Sequence, residues 1–400
     1  DELLDRFLLE AAERQESPGP DRREADPDDD GLLPYSLHPL TRAFASAKLA
    51  EDVAWEQDAR TRWVGWYLEF IRRYAPGDPH SRSEEVGWSF PHEPVRRQWR
   101  NLLAVSAWCA APQRERYADV RDLWQADRMR SFAGVLGFWG DRVHGLEWLI
   151  DAAERRGDLA VAVDAMSHLG WTLTTMGQLV AARAHLTHAW ELHGHVEPLV
   201  RLTLARHLAW LCIHEERDHE KRGDVTRDPV ARYAEAEYWL DQHTKLLAAA
   251  ALPADERTRE DVQILEYRGM ICDATGDFAQ AEQLFQQMLA DAEQMLWKRA
   301  SLDATIRWAN VARKNGDFAK ARRLLDATLP GADRLDDRRI SAFCKRAYAL
   351  LEQACGNLDI ACRWAREALD ELQRLGLQSE TDELRAVVTA CCGSGPLPPM

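Results

Sequence analysis

Histidines are the first residues in this sequence whose spacing could support metal chemistry. His185 and His188 lie three residues apart on one face of a predicted helix, and His193 and His195 follow. A zinc site needs a full ligand set in a recognisable pattern, such as H-E-x-x-H, and no such pattern is present. We therefore expect surface or packing histidines here and predict neither a metal nor another cofactor.

Motifs for nucleophilic catalysis and for phosphate binding are also absent. The sequence contains no G-x-S-x-G nucleophile motif and no G-x-x-x-x-G-K-[ST] phosphate loop. Its carboxylates are numerous, but in an acidic helical chain most of them belong to solvated helix faces. We predict that this chain is not an enzyme and that it does not bind ATP by itself.

The cysteines indicate a reducing compartment rather than a disulfide framework. No two of them form a C-x-x-C pair, and most lie in apolar helical windows where a free cysteine packs as a small hydrophobic residue. We expect a cytoplasmic protein. The eight positions are Cys109, Cys212, Cys272, Cys344, Cys355, Cys362, Cys391 and Cys392.

The remaining candidates are tryptophans that stand among polar residues at helical spacing. Trp171 and Trp210 each follow an apolar–small pair, Leu169-Gly170 and Leu208-Ala209. In helical repeat arrays this next position faces the concave groove, although either ring could instead fill space between repeats. Further residues share the predicted face: Asp164, Thr174, Arg206, His214, Glu266, Met270, Asp273, Asn310, Arg313, Arg346 and Gln353. This composition is typical of a surface that binds a protein or peptide partner.

A recurring phrase shows which elements position these residues. It begins with Gly, has an apolar or long residue two positions later, and ends with a small residue; the copies at Gly276, Gly316 and Gly356 are forty residues apart. We assign earlier copies to Gly177 and Gly140, and a degenerate copy without Gly to residues 232–236. Gly allows the left-handed backbone that ends one helix, and a following Asp or Asn caps the next helix. The phrase predicts helical hairpins.

A second set of small residues supports the same register. Seven residues before the turn glycines stand Ala133, Gly170, Gly269, Ala309 and Ala349. Two small positions flanking a turn are typical of tetratricopeptide repeats, although a period of forty exceeds the common ~34. We predict an all-α chain in which residues 101–390 form a right-handed superhelix of tetratricopeptide-like hairpins, followed by a tail at residues 391–400.

Composition excludes two classes of partner. The 51 Lys and Arg against 66 Asp and Glu give a formal net charge of −15, whereas nonspecific nucleic-acid binding requires a basic surface. No window approaches the ~18 uninterrupted apolar residues of a membrane span. We expect neither nucleic-acid nor membrane partners.

The first hundred residues differ from the repeats. Residues 17–31 are rich in Pro, Gly and Asp, which predicts a disordered acidic loop. A helical stretch at residues 3–14 and a short strand entering a helix at residues 32–44 flank that loop, so residues 1–50 indicate part of a winged-helix-like domain. Linking helices are expected at residues 51–100. Within the array, the charged segments 215–229 and 252–261 are expected to be inserted loops.

Two phrases resemble STAND-type signal-transduction ATPases, the NB-ARC and NACHT relatives that carry C-terminal repeat sensors. Residues 37–44 (LHPLTRAF) are similar to the end of their winged-helix subdomain, and residues 99–108 (WRNLLAVSAW) are similar to the phrase that opens their sensor array. The resemblance implies an upstream nucleotide-binding domain in a longer chain. It also implies that His38 senses the β-phosphate of ADP bound by that domain, and that the array recognises a trigger ligand.

Two alternatives remain open beside the STAND sensor. One is a free-standing tetratricopeptide scaffold that assembles partners, and the other is a repeat-containing hydrolase or regulator. A phosphate loop upstream would distinguish the sensor from the scaffold.

Overall fold

The computed structural model describes residues 9–11, 35–37, 39–74, 92–111, 116–124, 129–223, 228–334, 337–377 and 380–392. These residues belong to two compact units, Asp1–Tyr67 and Leu68–Met400. The predicted acidic loop at residues 17–31 and the predicted nucleotide-sensing His38 lie outside the described residues. Among the described helices, none combines the length and the apolar character that crossing a membrane requires.

The first unit contains a short antiparallel strand pair followed by helices. Strands β1 (Leu9–Ala11) and β2 (Tyr35–Leu37) pair with Leu9 opposite Leu37. The expected helix at residues 3–14 is therefore wrong at its centre, because pairing with a distant strand outweighs local helix propensity. The expected strand entering a helix is confirmed: helix α1 (Pro39–Glu51) follows β2, and α2 (Val53–Tyr74) comes next.

The second unit is all-α in its described residues and consists of stacked helical hairpins. After α2 its helices are α3 (His92–Ala110), α4 (Tyr117–Trp124), α5 (Met129–Leu136), α6 (Trp139–Arg156), α7 (Leu159–Thr175), α8 (Leu179–Glu191), α9 (Pro198–Lys221), α10 (Pro229–Arg232), α11 (Ala234–Ala249), α12 (Ala254–Thr275), α13 (Phe278–Gln294), α14 (Lys298–Lys314), α15 (Phe318–Arg334), α16 (Arg338–Ala354), α17 (Leu358–Arg374) and α18 (Asp382–Cys392). A 3₁₀ turn, His193–His195, follows α8.

The turn of the α12–α13 hairpin has the geometry that the recurring phrase predicts. Gly276 has a φ of 84°, and the Asp277 backbone N–H donates to the Cys272 carbonyl at 2.9 Å. The Asp277 carboxylate then accepts from the Gln280 backbone N–H at 3.1 Å, which caps α13. Equivalent left-handed glycines end the first helices of the next two hairpins, which confirms the forty-residue repeat in this part of the chain.

The earliest assigned copy of the phrase is wrong by three residues. The left-handed glycine before α6 is Gly137, with a φ of 80°, and the Phe138 N–H closes the turn on the Ala133 carbonyl at 2.8 Å. Gly140 lies in the first turn of α6 instead. The error arose because Gly140-Asp141 has the same Gly-Asp sequence as the turns at Gly276 and Gly316. In the actual turn, Gly137 is followed by the aromatic residue Phe138.

Most of the two expected insertions is helical. Helix α9 continues to Lys221, and ion pairs support its charged end: Arg232 Nη1 lies 2.7 Å from a Glu220 carboxylate oxygen. Helix α12 begins at Ala254, and Arg257 donates to the Ala250 carbonyl at 3.0 Å, which closes the preceding turn. The predicted loops at residues 215–229 and 252–261 are thus wrong where α9 and α12 extend into them.

Each hairpin depends on a close approach of its two helices at small residues. A Cβ atom on Gly170 would lie 2.3 Å from Leu186 Cγ, and one on Gly269 would lie 2.6 Å from Phe285 Cε1. Ala281, the small residue of the second helix α13, is fully buried. The small positions predicted from the sequence are therefore confirmed as helix–helix contacts in these hairpins.

The two ends of the array pack against each other. Trp139 at the start of α6 shares a buried apolar cluster with Leu375 and Leu377, which follow α17. Leu375 lies so close to Gly137 that a Cβ there would be 2.4 Å from Leu375 Cδ2, and Gly376 has Met176 beside it. The hairpins between these ends therefore surround an interior space.

Two glycine substitutions test the corrected register. Gly170→Ala should lower the free energy of unfolding by roughly 1–3 kcal/mol, because the new methyl group overlaps Leu186. Gly140→Ala should be neutral or raise it by up to about 1 kcal/mol, because this helical glycine has open space around its Cα. Urea unfolding measures both values. If Gly140→Ala is strongly destabilising, the assignment of the turn to Gly137 is wrong and Gly140 is the turn glycine.

Candidate functional site

The interior space of the second unit contains a cavity of about 770 Å³. Five first helices of successive hairpins, α7, α9, α12, α14 and α16, contribute one face each. The segment around the start of α18 adds to the wall, as do residues of α4, α5, α6 and α13. On α7 the lining residues include Asp164, His168, Trp171 and Thr175. Their spacing of three and four residues is that of a single helix face, and the other four helices repeat it.

All but two of the binding residues predicted from the sequence line this cavity. Those that do are Asp164, Trp171, Arg206, Trp210, His214, Glu266, Met270, Asp273, Asn310, Arg313 and Arg346. Thr174 does not, because it lies four residues after Gly170 on the face packed against α8, and its hydroxyl donates to the Gly170 carbonyl at 2.8 Å. Gln353 lies in the last turn of α16, beyond the last lining residue of that helix, Leu350.

The two predicted tryptophan anchors are packed as well as cavity-lining. Trp171 stacks on Trp139 with ring centroids 5.8 Å apart, and the guanidinium carbon of Arg142 lies 5.2 Å from the Trp171 ring centroid. Trp210 has 7 % of its surface exposed and lies 5.1 Å from the Tyr267 ring. Trp210 is thus part of the core as well as of the cavity wall, so both of the roles that the sequence left open apply to it.

Charged side chains link successive first helices across the cavity wall. Arg206 on α9 lies 3.4 Å from a Glu260 oxygen on α12, and Glu260 also contacts the buried His243 at 2.9 Å. Lys314 on α14 lies 2.7 Å from Asp273 on α12. These contacts place alternating charges along the wall and hold neighbouring hairpins in register.

A buried triad of charges lies where α12 meets α14. Arg307 contacts Glu266 at 2.5 Å and Asp303 at 3.0 Å. Burial raises the pKa of Glu266 to about 7, against the opposing effect of Arg307. Burial acts in the same direction on Asp303, but Arg307 and Arg339 hold the pKa of Asp303 below its usual value. Asp303 therefore stays ionised at neutral pH, whereas Glu266 gains or loses its proton near neutral pH.

Several buried polar atoms of the wall lack a hydrogen-bond partner among the described residues. They include Trp210 Nε1, His214 Nε2 and Asn310 Oδ1. A buried donor or acceptor without a partner costs about 1–3 kcal/mol, so such groups are rare in a packed interior. The residues that carry these atoms line the cavity, where a ligand could complete their hydrogen bonds.

Three cavity arginines also lack an ion pair within the described part of the chain. Arg217 on α9, Arg313 on α14 and Arg339 on α16 have no carboxylate oxygen within 4.0 Å, unlike Arg307 and most other cavity arginines. Burial and the neighbouring Arg299 lower the pKa of Arg339 to about 10, which still leaves it charged at neutral pH. The wall therefore offers cationic groups beyond those that hold the hairpins together.

Two histidines of the wall are held neutral. Burial lowers the pKa of His214 to about 3, and the nearby Arg217 adds to the effect while Glu380 opposes it. Burial, with Arg130, lowers the pKa of His168 well below its usual value. Neither histidine carries a charge at neutral pH, so the cationic groups of the wall are its arginines and Lys314.

A metal site needs its ligands in a particular arrangement, and a reactive thiol needs to ionise near neutral pH. No group of three or more His, Cys, Asp or Glu side chains in the described ranges has the arrangement of a metal site. Burial raises the pKa of the Cys109 and Cys344 thiols to about 12, so neither is a thiolate at neutral pH. Cys362 is disulfide-bonded, which differs from the expectation that the cysteines are free.

Sequence reasoning missed several wall residues. Arg217 lies seven residues after Trp210 on the same helix face, so extending the stripe by two turns would have found it. Tyr267 was missed because the adjacent Glu266 was taken as the wall residue of that helix turn, whereas both line the cavity. Glu380 and Glu383 come from the segment after the last hairpin, where the repeat register gives no information.

No protein family profile matches the sequence, and no curated protein sequence matches it. Solved structures give low-identity likenesses. A Rap protein complexed with Competence and Sporulation Factor is 11 % identical, with coverage of 84 % of this chain and 98 % of that one and a TM-score of 0.44. The quorum sensor NprR from B. thuringiensis, in its apo form, is 14 % identical, with coverage of 88 % and 99 % and a TM-score of 0.42.

A third likeness is a STAND protein with a tetratricopeptide repeat sensor from Pyrococcus horikoshii. It is 13 % identical, with a TM-score of 0.43; the match covers 90 % of this chain and 53 % of that protein, so the chain spans about half of its length. At these identities and scores the three likenesses carry no conclusion about function.

The neutral His214 predicts a pH dependence of stability. Because its folded pKa is about 3 against 6.5 for an ordinary histidine, the unfolded chain binds a proton below pH 6.5 that the folded chain does not bind. Between pH 7 and pH 5, the free energy of unfolding of the wild type should therefore fall by roughly 2 kcal/mol more than that of His214→Gln. Urea unfolding at both pH values measures this difference. His188→Gln, at an exposed site, is the control; equal losses in wild type and His214→Gln would contradict the buried neutral state.

Proposed function

We propose that this chain is a receptor module that binds a short peptide in the interior cavity of its helical array. The observation that carries the proposal is the cavity itself, whose wall combines aromatic rings with buried polar atoms that have no hydrogen-bond partner in the described part of the chain. Its volume of about 770 Å³ lies within the ~300–1,000 Å³ of typical ligand pockets. Such a wall offers both apolar contact and hydrogen bonds.

The arrangement of the wall favours an extended peptide. Successive first helices each present one face, so side chains of equivalent position recur from hairpin to hairpin along the cavity. Asn310 supports the same idea because an amide can donate to and accept from a peptide backbone at once. Trp171 and Tyr267 provide rings against which apolar peptide side chains can pack.

We further propose that peptide binding serves as the trigger of a STAND-type ATPase in a longer, cytoplasmic chain. The phrases at residues 37–44 and 99–108 support this attachment, with His38 as the ADP-sensing residue of the full protein. In that arrangement the nucleotide-binding domain is the second partner of the module. A sequence upstream that contains a phosphate loop would support the attachment, and its absence would favour a free-standing scaffold.

Peptide binding is testable with a library. Wild-type protein is immobilised and exposed to a random heptapeptide library; retained peptides are identified by mass spectrometry, and the best one is resynthesised and titrated by calorimetry. Asn310→Ala should weaken its binding by roughly 1–2 kcal/mol, or about fivefold to thirtyfold, because a buried backbone hydrogen bond is lost.

A matched control lies on the same helix. Asn315 caps the end of α14 and is exposed, so Asn315→Ala should leave peptide affinity unchanged. Circular dichroism melting checks that both variants fold. Retention of no peptide above the level of the heat-denatured protein would overturn the proposed receptor function, and equal effects of the two variants would move the binding site away from the cavity.

A further inference from the structure

One end of the cavity gathers cationic side chains from three hairpins. Arg217 comes from α9, Arg313 from α14 and Arg346 from α16, and all three line the wall. Among the described residues, Arg217 and Arg313 have no carboxylate oxygen within 4.0 Å. The neighbouring His214 is nine-tenths buried, and its Nε2 atom has no hydrogen-bond partner there.

Two carboxylates from outside the repeats reach into this cationic end. Glu380 precedes α18 and lies 3.5 Å from Arg346, while Glu383, in the first turn of α18, forms an ion pair with the same guanidinium group. Burial acts against ionisation of Glu380, but Arg346 and Arg217 hold its pKa well below its usual range. Arg346 likewise lowers the pKa of Glu383, with Arg217 adding to the effect. Both side chains are therefore anionic.

The charges at this end do not balance. Arg217, Arg313 and Arg346 contribute three positive charges, against two negative charges from Glu380 and Glu383. Asp273 also acts on Arg313, but it is paired with Lys314, and Lys221 lies close enough to influence Glu380 as well. His214 adds no charge because it is neutral. An uncompensated guanidinium in a cavity wall favours an anionic ligand group, which it can bind through charge-assisted hydrogen bonds.

We propose that Arg217, Arg313 and Arg346 bind a carboxylate group of the peptide ligand, and that Glu380 and Glu383 compete with this group for the same guanidinium groups. This inference rests on the proposed peptide-receptor function and specifies the chemical class of its ligand. A carboxylate fits better than a larger anion because the site already accommodates two carboxylates of this chain. Glu380 and Glu383 thus act as an internal mimic of the ligand and set the threshold for binding.

The test uses the heptapeptide library in two forms, with free and with amidated C-termini. Wild-type protein should enrich Asp- or Glu-containing peptides from both forms if a side-chain carboxylate is recognised, or only peptides with free C-termini if the terminal carboxylate is recognised. The best peptide should bind about tenfold or more tightly than its uncharged analogue, in which Gln replaces Glu or an amide replaces the terminus.

Variants of the arginines and of the two competing glutamates then locate the carboxylate-binding site. Arg217→Gln and Arg313→Gln should bring the affinity ratio of acidic peptide to uncharged analogue towards one, whereas Arg323→Gln, an exposed arginine on α15, should preserve it. The double variant Glu380→Gln/Glu383→Gln should bind the acidic peptide several-fold more tightly, because competition is removed. Circular dichroism melting verifies folding, and the two arginine variants still decide the question if the double variant does not fold.

The outcomes separate this inference from the receptor function. Enrichment of peptides without any acidic preference would overturn the inference and leave the receptor function standing. Failure to retain any peptide would overturn both. An acidic preference that survives Arg217→Gln and Arg313→Gln would place the carboxylate elsewhere, and weaker binding by the double Glu variant would contradict competition.

Discussion

Within the α7–α8 and α12–α13 hairpins the two helices approach so closely that one contact position has no room for a side chain. Leu186 occupies the space that a side chain at Gly170 would need, and Phe285 does the same at Gly269. This contact fixes the rotation of the first helix about its own axis, because the small residue must face the second helix. The residue that follows, Trp171 or Met270, is then turned towards the interior. The cavity wall is thus a consequence of hairpin packing.

The sequence was sufficient to predict this local relation but not its limits. Small residues flanking a turn identified the hairpins from Gly177 onward, and the helix faces that follow them supplied most of the wall. The error at Gly140 shows the limit of motif spacing where the turn glycine is followed by an aromatic residue. The burial of Trp210 could not be predicted either, because it depends on Tyr267 of the next hairpin rather than on its own helix.

Residues outside the repeat escaped prediction for a different reason. Glu380 and Glu383 reach the cavity only because the array curves until its last segment meets its first hairpins, and that curvature is the sum of small rotations between neighbours. No single spacing in the sequence encodes such a sum. The charged contacts between first helices, such as Lys314 with Asp273, contribute to each rotation, so wall chemistry and array curvature are set by overlapping residues.

The contact of Leu375 with Gly137 also changes how the array can be expected to fold. An open solenoid has interactions only between neighbouring repeats, so it gains and loses structure one unit at a time from its ends. Joining residues more than two hundred positions apart costs loop-closure entropy. Contacts between neighbouring hairpins alone do not offset this cost. The α5–α6 hairpin and the segment after α17 therefore stabilise each other, and unfolding becomes a cooperative event of the joined hairpins rather than progressive fraying.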